Sequence, residues 1–121
     1  MSQPEFKTGH ICHIEIPAGD LAAFKAFYGA VFGWTFQPMS DTYEFFDAGN
    51  MQGAIDTEAK ADGKGTVLVM ACDDIEGKLA DIEKAGGRTL KGKTPIPGHG
   101  ASYAYFSDLA GNRMGLYAVD K

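Results

Sequence analysis

The side chains that could do chemistry here are few: three histidines, two cysteines, five tyrosines and a scatter of acids. His13 and Glu15 are the first pair of interest. Two residues apart on an extended strand, they share a face with Cα atoms about 6–7 Å apart. An imidazole beside a carboxylate can orient a ligand, or act as a general base whose tautomer the acid sets. His13 and Glu15 are therefore the catalytic candidates. The competing reading is a hydrogen-bonded structural histidine, with a Glu facing solvent or a partner chain. His99 lies in Pro95-Ile96-Pro97-Gly98-His99-Gly100, a loop of the kind that can cover a ligand or simply turn in solvent. His10, three residues from His13, reads as structural. Trp34, Phe36, Tyr43, Tyr103 and Tyr105 fall on strands and, with His99, are the ligand-binding candidates. Aromatic walls with a few hydroxyls suit a planar or apolar ligand, and core packing is the alternative for each. Phe24, Phe27, Tyr28 and Phe32 recur at helical spacing and are expected in the core.

Other chemistries find no support. Cys12 and Cys72 share the parity of apolar strand neighbours, and no adjacent base activates them, so buried inert thiols are expected. No nucleophile elbow, phosphate-binding glycine loop or nicotinamide fingerprint occurs, and no cofactor is expected. Eleven basic against sixteen acidic residues leave a net charge of −5, which disfavours phosphate-neutralising contacts and argues against nucleic acid. No apolar run approaches the roughly 20 residues of a membrane span. Residues 1–10 are polar, without an apolar signal core. The expectation is a cytoplasmic single domain with no membrane partner. The 16 glycines remain to be explained.

The elements that position these groups follow from periodicity. Residues 10–16 alternate as a strand ended by Pro17. Asp20 can cap a helix carrying Leu21, Phe24, Phe27, Tyr28 and Val31, and Gly33 suits its left-handed end. Residues 34–37, 43–47 and 52–56 read as strands, the last two joined by a Gly49-Asn50 turn. Residues 57–65 suit a linker. The pattern then restarts: a strand over 66–72, a helix capped by Asp73 or Asp74 and closed by Gly86-Gly87, and strands over 88–91, 102–107 and 113–119.

An offset of 54 carries Ile14, Asp20, Leu21 and Gly33 onto Leu68, Asp74, Ile75 and Gly87. An offset of 62 carries Gly49-Asn50-Met51-Gln52-Gly53 onto Gly111-Asn112-Arg113-Met114-Gly115. The extra length fits in the Gly/Pro-rich stretch 92–101. Two equal patterns closed by one motif indicate an internal duplication, with modules over about 10–56 and 66–119. Many glycines then mark matching helix ends and turns. Gly53 and Gly115 instead fall inside strands, where glycine lets something approach the backbone closely.

A duplicated strand-helix-three-strand unit resembles the vicinal oxygen chelate superfamily of glyoxalase I, bleomycin-resistance proteins and extradiol dioxygenases. The residues that carry the resemblance are His-Ile-Glu-Ile-Pro-Ala-Gly-Asp (13–20), Ala-Phe-Tyr-Gly-Ala-Val-Phe-Gly-Trp (26–34) and Ser-Asp-Leu-Ala-Gly-Asn-Arg-Met-Gly-Leu (107–116). The resemblance implies an α+β fold of two tandem βαβββ modules whose curved mixed sheets enclose a cleft. It also implies a homodimer and a small-molecule ligand. Metal-dependent members carry one ligand on the first and fourth strand of each module. Carried over, those positions are His13, Gly53, Val67 and Gly115, of which His13 alone can bind a metal. No metal is expected there. The leading expectation is a glyoxalase- or bleomycin-resistance-like protein that binds a small organic molecule in the cleft without a metal. The alternatives are a metal-dependent lyase, isomerase or dioxygenase with a degenerate or relocated site using His13 and His99, and a non-catalytic accessory domain.

Overall fold

The structure, a computed structural model, describes residues 6–58 and 65–120; residues 59–64 of the expected linker lie outside these. The described residues form an α+β fold of two βαβββ modules. The first runs β1 (Ile11–Pro17), α1 (Leu21–Phe32), β2 (Thr35–Pro38), β3 (Tyr43–Asp47) and β4 (Gln52–Asp56). The second runs β5 (Val67–Ala71), α2 (Ile75–Lys84), β6 (Arg88–Ile96), β7 (Ala101–Ser107) and β8 (Arg113–Val119). By compactness one unit is His13–Val67, and the other is Leu68–Lys121 together with the chain up to Cys12.

In the first module the strand order is β2-β3-β4-β1. β1 pairs parallel with β4, while β2–β3 and β3–β4 are antiparallel. The crossover from β1 needs a helix, and its ends are locally encoded. Asp20 accepts from the Ala23 amide at 3.0 Å, and Gly33, at φ 72°, closes α1 in the left-handed region. The register sets the faces. Ile14, Gly53, Phe46 and Phe36 occupy matched positions, so one face carries them and the other carries His13, Glu15, Tyr43 and Phe45. The first set packs under α1: Trp34 stacks on Tyr28 and on Phe46, with centroids 4.5 and 4.6 Å away. Lys25 of α1 reaches Glu44 of β3 at 2.7 Å, an ion pair on a carboxylate that is itself buried.

The second module repeats the plan as β5-β8-β7-β6, with β5 parallel to β8 and the rest antiparallel. Its core is Ile75 and Leu79 of α2 against Cys72, Ala104, Phe106, Leu116 and Ala118, with Met70, Ile82 and Met114 packed around them. Asp74 caps α2 through the Gly77 amide at 3.2 Å. Tyr103, Tyr105, Arg113, Gly115 and Tyr117 alternate with these core residues and so occupy the opposite face.

Four sequence expectations change. First, β6 does not end at residue 91 but continues to Ile96, with register shifts on either side of Lys91. The Gly/Pro-rich insertion is thus mostly a bulged strand, because its main chain still pairs with β7 at Thr94, Pro95 and Ile96. Second, the α1 aromatics are not uniformly core: Phe27 is 54% exposed and Phe32 63%. Third, Trp34 and Phe36 lie on the α1 side of their module, opposite His13 and Glu15. Trp34 is held there by its two ring partners, and Phe36 lies beside Gly29 of α1.

The fourth correction concerns the two strand glycines, which are not equivalent. Gly53 pairs with Ile14, but Gly115 pairs with Val69, which corresponds to Glu15 rather than Ile14. The structural counterpart of Gly115 is therefore Ala54, one residue from the motif alignment. Gly53 faces α1, where a Cβ would strike the Ile14 carbonyl and the Phe46 ring. Gly115 faces the other way, where a Cβ would lie 2.9 Å from a Val69 methyl.

Candidate functional site

β1 delivers His13 and Glu15 to the face of the first module that is turned from α1, as their spacing predicts. What joins them is a third side chain. The Tyr43 hydroxyl, on β3, donates to Glu15 Oε2 at 2.8 Å and lies 3.1 Å from His13 Nε2. A direct His–Glu contact is unnecessary because the phenol spans the gap between alternate strand positions. Tyr43 packs edge-on against Phe45 at 5.9 Å between centroids, which holds its ring in place.

This series decides the tautomer of His13. A phenol has one proton, and Tyr43 directs it to the Glu15 carboxylate. Its oxygen can then only accept from His13, so Nε2 carries the hydrogen and Nδ1 carries the lone pair. Burial lowers the His13 pKa below its ordinary value, and the nearby Glu15 charge opposes that fall without reversing it. The lowered pKa favours the neutral ring at pH 7. The module presents a neutral imidazole of defined tautomer, able to accept a hydrogen bond or a proton at Nδ1.

In the second module Tyr103 and Tyr105 also meet, edge to face at 5.5 Å. Two cations accompany them that sequence reasoning passed over. Lys91 Nζ donates to the Tyr103 hydroxyl at 2.7 Å, and the Arg113 guanidinium lies over Tyr105, 4.8 Å from its centroid. Parity carried the signal: Arg113 stands two residues before Gly115 on β8, on the face already assigned to Tyr105. The turn before β8 aims it. Asp108 accepts from the Ala110 amide, the Asn112 amide and the Asn112 side chain at 2.9–3.0 Å, while Gly111 takes φ 86°. The Asp-x-x-Gly-Asn-Arg run is thus a carboxylate-organised turn that ends in a placed arginine.

His99 sits in the turn between β6 and β7, its amide bonded to the Ile96 carbonyl at 3.2 Å, and it is exposed. It joins neither cluster. Burial pushes the Cys12 thiol up to about 11 and raises Cys72 as well, so neither is a ready nucleophile.

The positions that hold metal in metal-dependent relatives do not fit an ion. Val67 and Gly115 offer no donor; Gly53 faces α1, and its replacement on the other face is Ala54. Among the described residues no three His, Cys, Asp or Glu side chains converge as a metal-binding group. Nor is any described helix long and apolar enough to cross a membrane.

Residues 10–116 match the family model of the Glyoxalase/Bleomycin resistance protein/Dioxygenase superfamily. The chain belongs to this superfamily. Among its glyoxalase-superfamily relatives is a glyoxylase-like domain-containing protein of Didymella fabae, 28% identical over 114 residues, which cover 86% of this chain and 89% of that one. Solved structures of the same fold include a hypothetical protein from Bacillus halodurans, with TM-score 0.72, 14% identity and coverage of 93% and 95%. A methylmalonyl-CoA epimerase from Streptomyces coelicolor aligns with TM-score 0.67 and 20% identity over 93% of this chain and 98% of that one. At these identities the structures share the fold with this glyoxalase-superfamily chain, and chemistry has to be read from its own residues.

Proposed function

We propose that this superfamily member binds a small organic molecule against the His13–Tyr43–Glu15 face of its first module without using a metal. In this reading His13 Nδ1 accepts a hydrogen bond or a proton from the ligand. The observation that carries it is the Nε2–H···O–H···carboxylate series, which fixes the imidazole as an acceptor of known orientation. An acidic C–H beside a carbonyl, or a hydroxyl, is the matching donor. On proton uptake Glu15, relayed by Tyr43, stabilises the imidazolium. The lack of donors at Val67, Gly115 and Ala54 supports the metal-free part of the reading. The exposed apolar residues Phe27, Val31 and Phe32 of α1 support the homodimer that the resemblance implies. Sedimentation velocity should show a dimer, and a monomer at micromolar concentration would remove it.

A thermal-shift screen of metabolites and antibiotics tests the ligand reading, since a ligand at 100 times its dissociation constant adds about 2.7 kcal/mol. The expected result is a stabilising compound whose affinity falls about tenfold or more in His13→Gln, the size of a lost hydrogen bond to a polar partner. No shift across the panel, or equal affinity in a folded His13→Gln, would sink the proposal. Elemental analysis of protein prepared without chelator or His-tag should find no stoichiometric transition metal. A near-equimolar metal would overturn the metal-free part.

A further inference from the structure

With sixteen acidic side chains against eleven basic ones, cations in this chain have carboxylates to choose from. Lys25 takes Glu44, and Lys78 takes Asp81. Lys91 and Arg113 take none: among the described residues neither forms an ion pair. Both are committed to tyrosines instead. Lys91 Nζ hydrogen-bonds Tyr103 at 2.7 Å while standing 4.9 Å from its ring centroid. Arg113 lies over Tyr105, its Cζ 4.8 Å from the ring centroid, and its Nε is buried with no hydrogen-bond partner.

Cation–π contact stabilises a guanidinium by about 0.5–2 kcal/mol but satisfies none of its N–H donors. A buried, unmatched Nε–H leaves the compensation of the charge to whatever meets the rest of the fork. The strand register reinforces this. Lys91 pairs with Tyr105, Tyr105 with Gly115, and Arg113 lies two residues along on β8. All four side chains therefore sit on the face turned from α2, carried by three adjacent strands.

The geometry points to a binding site on the second module for a small organic acid, its carboxylate met by Arg113 and Lys91 and its planar apolar body by Tyr103 and Tyr105. The guanidinium fork suits a carboxylate or phosphate equally, through paired N–H···O bonds. The tyrosine rings favour an acid with a flat body over a bare anion. This inference stands without the reading of His13, because it uses a different module and different variants.

Benzoate, neutral benzamide and inorganic phosphate are the probes, titrated into the full chain while the arginine side-chain Nε–H resonances are followed by NMR. Benzoate should move the Arg113 resonance and bind about tenfold or more tighter than benzamide, as expected for charge-assisted hydrogen bonds. Its affinity should fall with added salt. Arg113→Gln should weaken benzoate about tenfold, and Lys91→Met by a smaller factor. Phosphate should bind more weakly than benzoate; equal binding would overturn the aromatic part of the inference. Benzamide binding as well as benzoate, or a stationary Arg113 resonance at saturating benzoate, would overturn the whole. Should Arg113→Gln fail to fold, Lys91→Met decides with its exposed side chain, and unchanged benzoate affinity there would count against the site.

Discussion

The two modules share a topology and diverge on the faces that their helices leave uncovered. In the first, an imidazole, a phenol and a carboxylate form a hydrogen-bonded series around a neutral ring. In the second, two cations contact two tyrosines and, among the described residues, form no ion pair. The helices differ as well. α2 buries Ile75 and Leu79 in a defined core, whereas α1 has no fully buried residue and leaves Phe27 and Phe32 more than half exposed. Duplication thus preserved what the backbone requires, namely caps, turns and strand pairing. The positions on the faces turned from the helices carry no such backbone constraint, because a side-chain change there leaves the ladder intact.

The contrast can be broken most sharply at the helices. Leu79→Ala should cost about 3 kcal/mol, since it opens a cavity beneath α2, while Phe27→Ala should cost less than about 1 kcal/mol. Urea unfolding of both variants measures the difference, and equal losses would erase the distinction. The strand glycines come next. Gly53→Ala should destabilise by about 2 kcal/mol, because its Cβ meets a backbone carbonyl that cannot swing away. Gly115→Ala meets a valine methyl and should cost about 1 kcal/mol or less. Reversal of that order would contradict the assignment of the two glycines to opposite faces.

A smaller effect is expected at Tyr43. Tyr43→Phe removes two hydrogen bonds at half-buried groups and should cost about 1–2 kcal/mol. Its diagnostic is spectroscopic: the imidazole nitrogen shifts of His13 should move from a single tautomer toward a mixture. An unchanged pattern would mean that Tyr43 does not set the tautomer.

The pH dependence should be the smallest effect. Because burial holds the folded His13 pKa below 6.5, the unfolded chain binds this proton first on acidification. Stability from this group is complete above about pH 6.5 and is lost as pH falls through the folded pKa. Chemical denaturation between pH 7.5 and 5 should show the decline, reduced in His13→Gln. Identical slopes in the two proteins would remove His13 as its source.

Much of this was legible in the residue order, and the pattern of success is physical. Asp20 and Gly33 were readable as caps, and Asp74 as one of two adjacent candidates, because a cap is satisfied within one turn of chain. β3, β4 and β8 were readable because alternation and the Gly-Asn turns are local. His13 and Glu15 sharing a face followed from strand periodicity alone. The errors came where a distant partner decides. Periodicity leaves Trp34 and Phe36 open between a ligand face and the core, because nothing local says which side α1 covers. The β6 insertion looked like a loop because glycine and proline mark loops, yet β7 supplied partners for its backbone. The Gly-Asn motifs aligned Gly53 with Gly115, but motif alignment follows turns, and a one-residue difference in strand register reverses every face.

By itself, then, the order of residues determined the repeat, the caps, the turns and the resemblance to the superfamily, since each rests on contacts between near neighbours. Tertiary structure decided the rest. It inserted the Tyr43 hydroxyl between His13 and Glu15, set Lys91 and Arg113 on tyrosine rings, and separated the two glycines onto opposite faces. Each of those outcomes depends on how strands far apart in sequence align, and pairing register is settled by the packed core as a whole.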